Sequence, residues 1–306
     1  MKILLPTDGS ACSTNAVEFF VSRTSLRGAH PQLVLLTVQQ PLSAIRRLLV
    51  RGDEQAYYDA EAERALAPAR RVLRAEGVDF TEQKAVGDPA EQIAEVVARE
   101  KPDLILMGSR GLSAFAGLIL GSVTTEVLAR TRTPVLIVRG KEEPRKDALR
   151  VAIAVDGSEY GQAAARYVVG HLELFGQGAK FHAINVVTTL DKEYYSVVAA
   201  VSNEKLTKKD MKLIQYEDFV DAMKTVRPIF KAAGLKVKEV CLTGDPADQI
   251  ADYAEENRLD LIVMGSHGYG NFKSAVMGSV ATHVAAQGNV PILLIRTETH
   301  IPPMIE

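Results

Sequence analysis

The second half of this chain restates the first, and that constrains its fold more than any other feature. Leu104 to Val123, LILMGSRGLSAFAGLILGSV, returns as Leu261 to Val280, LIVMGSHGYGNFKSAVMGSV. PTDGS at Pro6 to Ser10 returns as AVDGS at Ala154 to Ser158, and GDPAEQIAE from Gly87 returns as GDPADQIAD from Gly244. The copies lie 148 residues apart up to Val38 and Val186, and 157 apart from Gly87 onward. The second copy has therefore gained nine residues in between, in a segment that includes Tyr194 to Asp210. A repeat of this length means two copies of one domain, and 306 residues is a two-domain length. The expected units are residues 1–140 and 150–297, with a polar linker at 141–149 and a loose tail at 298–306.

Each copy alternates strand and helix patterns. In the first, Lys2 to Thr7 reads as a strand and Asp8-Gly9-Ser10 turns into a helix running to about Leu26. Leu33 to Gln39 is a second strand, and after a loop a long helix is expected from about Glu54 to Glu76. Val78 to Val86 is more polar and suits a sheet edge. Asp88, Pro89 and Glu91 read as N-cap, first helical residue and partner in a capping box, and the same structural role falls to Asp245. Asp103 to Gly108 is the fourth strand, Gly121 to about Thr131 the last helix, and Pro134 to Arg139 the fifth strand. Alternation of this kind implies parallel strands with right-handed crossovers, and the continuously apolar LILM and LIVM suit strands buried on both faces.

The repeated glycine motif carries the chemistry. Both copies read strand, Gly-x2-Gly-x9-Gly-Ser, helix: Gly108, Gly111, Gly121 and Ser122, then Gly265, Gly268, Gly278 and Ser279. Glycines between a buried strand and a helix N-terminus leave backbone N–H groups open at the positive end of the helix dipole, which is an anion site suited to phosphate. A Cβ there would block a left-handed backbone or the approach of the phosphate. The motif is neither a Walker A loop, since no lysine follows the last glycine, nor the dinucleotide Gly-x-Gly-x-x-Gly.

Composition excludes several classes. A net charge of −2 and a pI near 6.3 give no electrostatic footprint for nucleic acid or an anionic membrane. Arg46, Arg47 and Arg51 read as a solvated face. No apolar run is long enough to span a bilayer, and MKILLPTDGS reads as a first strand rather than a signal peptide. Cys12 and Cys241 form no CxxC, which favours a reducing, cytoplasmic location.

The order VDGS, Gly-Asp-Pro, MGS[RH]G, GSV and a closing PVLIV or PILLI resembles the universal stress protein family over nearly the whole chain, as two tandem domains. The resemblance implies an α/β fold of two Rossmann-like (adenine nucleotide alpha hydrolase-like) domains. Each would be a five-stranded parallel sheet of order 3-2-1-4-5 with helices on both faces. It also implies the family's ATP-binding subgroup, so ATP or another adenine nucleotide would be the cofactor, with Mg²⁺ reaching the site through the phosphates.

On that resemblance Asp8 and Asp156 would meet the adenosine end, Pro6 and Ala154 would line the base, and Val38 and Val186 would lie by adenine. Met107 and Gly108, with Met264 and Gly265, would support the ribose and first phosphate. Gly111, Gly121, Ser122 and Val123 would cradle the phosphates, as would Gly268, Gly278, Ser279 and Val280, with Arg110 and His267 in reach of phosphate. Helix capping remains the structural alternative for Asp8, Asp156, Ser122 and Ser279. The apolar fifth strands would pair with each other, making the chain a pseudo-dimer, and the whole chain can form a further dimer.

Three functions fit these residues: a nucleotide-binding stress or signalling module with slow or no hydrolysis, a weak ATPase or nucleotide-cleaving enzyme, and an adaptor that binds no nucleotide. The first has the most support, because no Walker lysine, catalytic base or arginine finger accompanies the cradle. Fast turnover would favour the second, and absence of bound nucleotide the third.

Overall fold

The structure, a computed structural model, describes residues 1–27, 31–50, 53–109, 120–140, 148–187, 207–267, 277–287 and 289–296. The first half contributes β1 (Lys2–Pro6), β2 (Gln32–Gln39), β3 (Phe80–Val86), β4 (Leu104–Gly108) and β5 (Val135–Val138). The second contributes β6 (Arg150–Ala154), β7 (Lys180–Val187), β8 (Val237–Thr243), β9 (Leu261–Gly265) and β10 (Ile292–Ile295). All ten lie in one sheet, β3-β2-β1-β4-β5-β10-β9-β6-β7-β8. Within each half every pairing is parallel and the order is 3-2-1-4-5, as expected.

The seam between halves is the pair of fifth strands. Ile292, Leu293 and Leu294 of β10 face Ile137, Leu136 and Val135 of β5 in antiparallel register. Each of these strands is apolar and buried throughout, so left unpaired it would be an exposed adhesive edge. Pairing them removes both edges and lets each apolar layer run through both halves. Leu136 and Leu293 share one layer, while Val135, Ile137, Ile292 and Leu294 share the other. Away from the strands, Ser25 Oγ donates to the Leu174 carbonyl at 2.8 Å.

The helices follow the sequence pattern with local exceptions. The first, Ala11–Ser22, stops short of the expected Leu26 because Arg23 turns extended, and Thr24–Arg27 restarts it. Arg23 is buried with its guanidinium 4.9 Å from the Phe19 ring, and that inward turn breaks the helix. The segment read as a loop contains helix Ala44–Val50, on which Arg46 and Arg47 are exposed, while Arg51 lies outside the described residues. Helix Glu54–Ala75 matches its expectation. Asp88 caps helix Pro89–Glu100 and Asp245 caps helix Pro246–Glu256, each accepting from two backbone N–H groups. Glu91 faces Arg130 at 3.5 Å instead of completing a capping box.

The outer strands β3 and β8 mix exposed with half-buried residues, Val240 alone among them being buried, and carry charge, which discourages edge pairing. On β3, Glu82 accepts from Arg70, which also holds Glu63, and Lys84 reaches Glu63 at 2.9 Å. Hydrogen bonds from Arg70 and then Lys84 hold the Glu63 carboxyl down to about 2, and Lys2 first, then Gln83, hold Glu100 at about 2. Both groups are depressed below an unfolded value of 4.5, so their contribution is complete above that pH and is lost as pH falls toward 2. Thermal midpoints recorded across that window are expected to fall with acid, with a shallower slope in a Glu63→Gln, Glu100→Gln variant.

Candidate functional site

The carboxyl ends of the strands form the site. β1 pairs with β2 on one side and with β4 on the other. The chains leaving β1 and β4 therefore diverge to opposite faces, and a crevice opens between them, where α/β sheets bind ligands. The second half repeats this with β6, β7 and β9.

Pro6 ends β1 and leads into a turn built by Asp8. Its Oδ1 accepts from the Ser10 N–H at 3.0 Å and from Ser13 Oγ at 2.8 Å. The cap of the first helix is Ser10, whose side chain accepts from the Ser13 N–H, so Asp8 is not the cap. The second half agrees: Asp156 Oδ1 takes the Ser158 N–H at 3.0 Å and its hydroxyl at 2.5 Å, while Ser158 caps the helix. The aspartates brace the turn, and the serines two residues later satisfy the helix.

Met107 and Gly108 end β4, both buried. A Cβ on Gly108 would stand 2.5 Å from the Cys12 carbonyl oxygen, and one on Gly265 would stand 2.5 Å from Tyr160 Cβ. These two glycines are required by the first helix of each half crossing the fourth strand, whereas the sequence pattern alone pointed to phosphate approach. Met264 and Gly265 occupy the equivalent strand end on β9.

From β4 the chain returns to the same spot. Gly121 N–H donates to the Ser109 carbonyl at 2.9 Å, and Gly278 N–H to Ser266 at 2.8 Å. Gly121 is the N-cap of helix Ser122–Arg130, with extended backbone and no side-chain cap. Ser122 is thus the first helical residue and not a cap; it is exposed, with Val123 half-buried behind it. Ser279 and Val280 open helix Ser279–Gln287 in the same way, exposed and half-buried in turn. The contrast with the longer helices is clear, since Ser10, Asp53, Asp88, Ser158, Thr207 and Asp245 each supply a side-chain cap. An uncapped helix start leaves backbone donors in need of an external acceptor.

Asp8, Met107, Gly108, Gly121, Ser122 and Val123 thus gather around one strand-end crevice, with Val38 one strand over on β2. His267 follows β9, its Nδ1 3.1 Å from Ser266 Oγ and its ring 5.4 Å from that of Tyr160. Arg110, Gly111 and Gly268 lie outside the described residues, as do Tyr269 to Lys273 and Tyr194.

In the second half Asp156, at the turn after Ala154, and Val186 line a cavity of about 310 Å³ together with Asn185, Asp218 and Asp221. These last three were not singled out from sequence. A position-by-position comparison of the halves carries the signal, since Thr37 becomes Asn185 and Arg64 becomes Asp221 at the repeat spacings. Among the described residues no three His, Cys, Asp or Glu side chains converge as metal ligands, and no helix is long and apolar enough to cross a membrane.

The model of the universal stress protein family matches residues 1–139 and again 149–296. A universal stress protein of Mycolicibacterium smegmatis is 23% identical over 305 residues, covering 96% of this chain and 96% of its own. One from Thermus aquaticus is 33% identical over 143 residues, covering 45% of this chain and 97% of its own. The crystal structure of a universal stress protein from Archaeoglobus fulgidus superposes with a TM-score of 0.66 at 24% identity, covering 96% of this chain and 98% of that one.

Proposed function

Given that the chain belongs to the universal stress protein family, with two copies of the family's domain, we propose that it is a nucleotide-dependent stress-response or signalling module that binds ATP or another adenine nucleotide. The observation that carries this reading is the uncapped helix start at Gly121, placed at the switch point between β1 and β4. Its backbone donors, without a side-chain cap among the described residues, fit a phosphate chain, and Gly278 opens helix Ser279–Gln287 at the matching place.

In this reading Gly121, Ser122 and Val123, and Gly278, Ser279 and Val280, hold the phosphates through backbone N–H groups and hydroxyls. Arg110, Gly111, Gly268 and His267 complete the cradle. Met107, Gly108, Met264 and Gly265 support the ribose, and Pro6, Asp8, Val38, Ala154, Asp156 and Val186 receive the adenosine. Mg²⁺, where it enters, rides on the phosphates. Bound nucleotide would stabilise the folded chain and bias which protein partners dock. Hydrolysis is expected to be absent or far below the ~10 s⁻¹ of an ordinary enzyme. The expected setting is the cytoplasm.

Denaturing freshly purified protein and identifying the released small molecules by mass spectrometry tests this. Wild type is expected to release adenine nucleotide, Gly121→Val and Gly278→Val each to lose the share of their own half, and the double variant to release none. Wild type that carries none, and takes up none on titration, returns the chain to the adaptor reading.

A further inference from the structure

The starting ends of β6, β7 and β8, opposite the strand ends given to nucleotide, carry a basic cluster that the nucleotide reading does not use. Arg150 pairs with Lys180 across β6 and β7, and His182 with Lys238 across β7 and β8. Residues two apart on a strand share a face, so these four lie on the face of Ala152, Ile184 and Val240, which packs against helix Pro246–Glu256. Tyr253 reaches the cluster from that helix. Lys238 Nζ donates to its hydroxyl at 3.1 Å, and His182 Nδ1 stands 2.9 Å from the same oxygen. The ammonium only donates, which leaves the hydroxyl proton for His182 Nδ1, and a neutral ring then carries its own proton on Nε2. Arg150 Nη1 donates to the Asn257 carbonyl at 3.3 Å, and its backbone N–H to Asp260 at 2.8 Å. Arg150, Lys180 and Lys238 are exposed, and among the described residues none of their side chains makes an ion pair.

The first half does not repeat this cluster. Gln32, Val34 and Thr81 stand in place of Lys180, His182 and Lys238, and the buried Val96 in place of Tyr253. Lys2 stands in place of Arg150 and is neutralised by Glu100 at 2.5 Å, whereas Asn257 stands in place of Glu100. The second copy has thus gained Lys180, His182 and Lys238 as basic side chains and lost the carboxylate that answers the basic residue common to both.

Neighbouring donors that hold no anion of their own fit a ligand that only accepts and carries negative charge. We propose that this cluster binds a phosphate monoester, its oxygens accepting from Lys238 Nζ and His182 Nε2, with Arg150 and Lys180 flanking it. Three strong acceptor oxygens and a charge of about −1.5 to −2 serve several donors at once, which a carboxylate with two oxygens and one charge does less well. Burial first, and then the charges of Lys238, Arg150 and Lys180, hold the His182 ring below the usual histidine range. A bound dianion acts the other way, so binding and protonation of His182 strengthen each other. The inference goes beyond nucleotide binding and does not require it.

Proton NMR of the His182 ring in the full chain, titrated with glycerol 3-phosphate at fixed ionic strength, tests it. The resonance is identified by its loss in His182→Val, and it reports on the start of β7, away from phosphate held at the other end of the strands. A saturable shift is expected, with the His182 titration midpoint raised by about one pH unit at saturation. Lys238→Thr, which installs the first half's residue, and Asn257→Glu, which restores its carboxylate, should each weaken binding about tenfold, as loss of a charge-assisted contact does. Lys224→Gln should leave it unchanged. Lys238 is exposed, so its variant is expected to fold even if Asn257→Glu does not. A phosphoserine peptide titrated alongside identifies the source: tighter binding than glycerol 3-phosphate places the phosphate on a protein, and equal or weaker binding places it on a small molecule. Absence of a saturable shift, undiminished affinity in Lys238→Thr, or the same shift with sodium chloride alone would overturn the proposal.

Discussion

Valine at Gly108 is expected to destabilise the first half by about 3 kcal/mol or more, the upper end of what overpacking costs. The atom in the way is the Cys12 carbonyl oxygen, 2.5 Å from where Cβ would sit, with Ser13 N at 3.0 Å. Backbone at the start of a packed helix cannot rotate aside as a side chain can, so truncating Cys12 would give no relief. Gly265 differs in a useful way. There the nearest atom is Tyr160 Cβ, with the Tyr160 backbone at 2.9 Å, so Tyr160→Gly should recover part of the loss in Gly265→Ala and Cys12→Gly none of it in Gly108→Ala. Urea unfolding of these variants checks the claim. A Gly108→Val protein of wild-type stability would show that the helix does not press on the strand. Gly121→Val should instead keep most of its stability and lose ligand, because Gly121 has φ −60 and no demand for a left-handed backbone.

Lysine at Leu136 is expected to part the two halves. Leu136 is 1% exposed and faces Leu293, 2% exposed, across the antiparallel seam. Removing such a leucine side chain alone costs about 2–5 kcal/mol, and an ammonium without a partner adds the cost of desolvating charge. Each half keeps its own parallel pairings, so the helix and strand content seen by circular dichroism should largely persist while small-angle scattering reports a larger, elongated particle. Unchanged compactness and an unchanged urea midpoint would sink this account of the seam. Leu293→Lys should behave alike, and the double variant should cost less than the sum of the two, since the seam is lost only once.

Much of the fold was legible because its signals are local. Continuous apolar runs marked β4 and β9 as central strands, the polar alternation of residues 80–86 marked an edge, and Asp-Pro marked two helix starts. The site was legible as a pattern, though some roles within it were not. Asp8 looks like a helix cap in sequence, yet Ser10 two residues on wins that place because its backbone is the one in the extended, half-in conformation. Gly108 looks like a residue kept small for a phosphate, yet it is held small by Cys12, almost a hundred residues earlier. Arg23 interrupts a helix pattern because burial against Phe19 outweighs propensity.

By itself the sequence determined what depends on neighbours along the chain: a duplicated α/β unit, its strand order through the family resemblance, its helix starts, and a glycine cradle used twice. Tertiary structure alone decided what depends on residues far apart coming into contact. It joined β5 to β10 into one ten-stranded sheet, set Gly108 and Gly265 against the helices that cross them, and buried Asn185 Oδ1 without a hydrogen-bond partner among the described residues. The division is physical. Propensity and periodicity act over a few residues, whereas packing clashes, sheet edges and unsatisfied buried groups exist only once the chain has closed on itself.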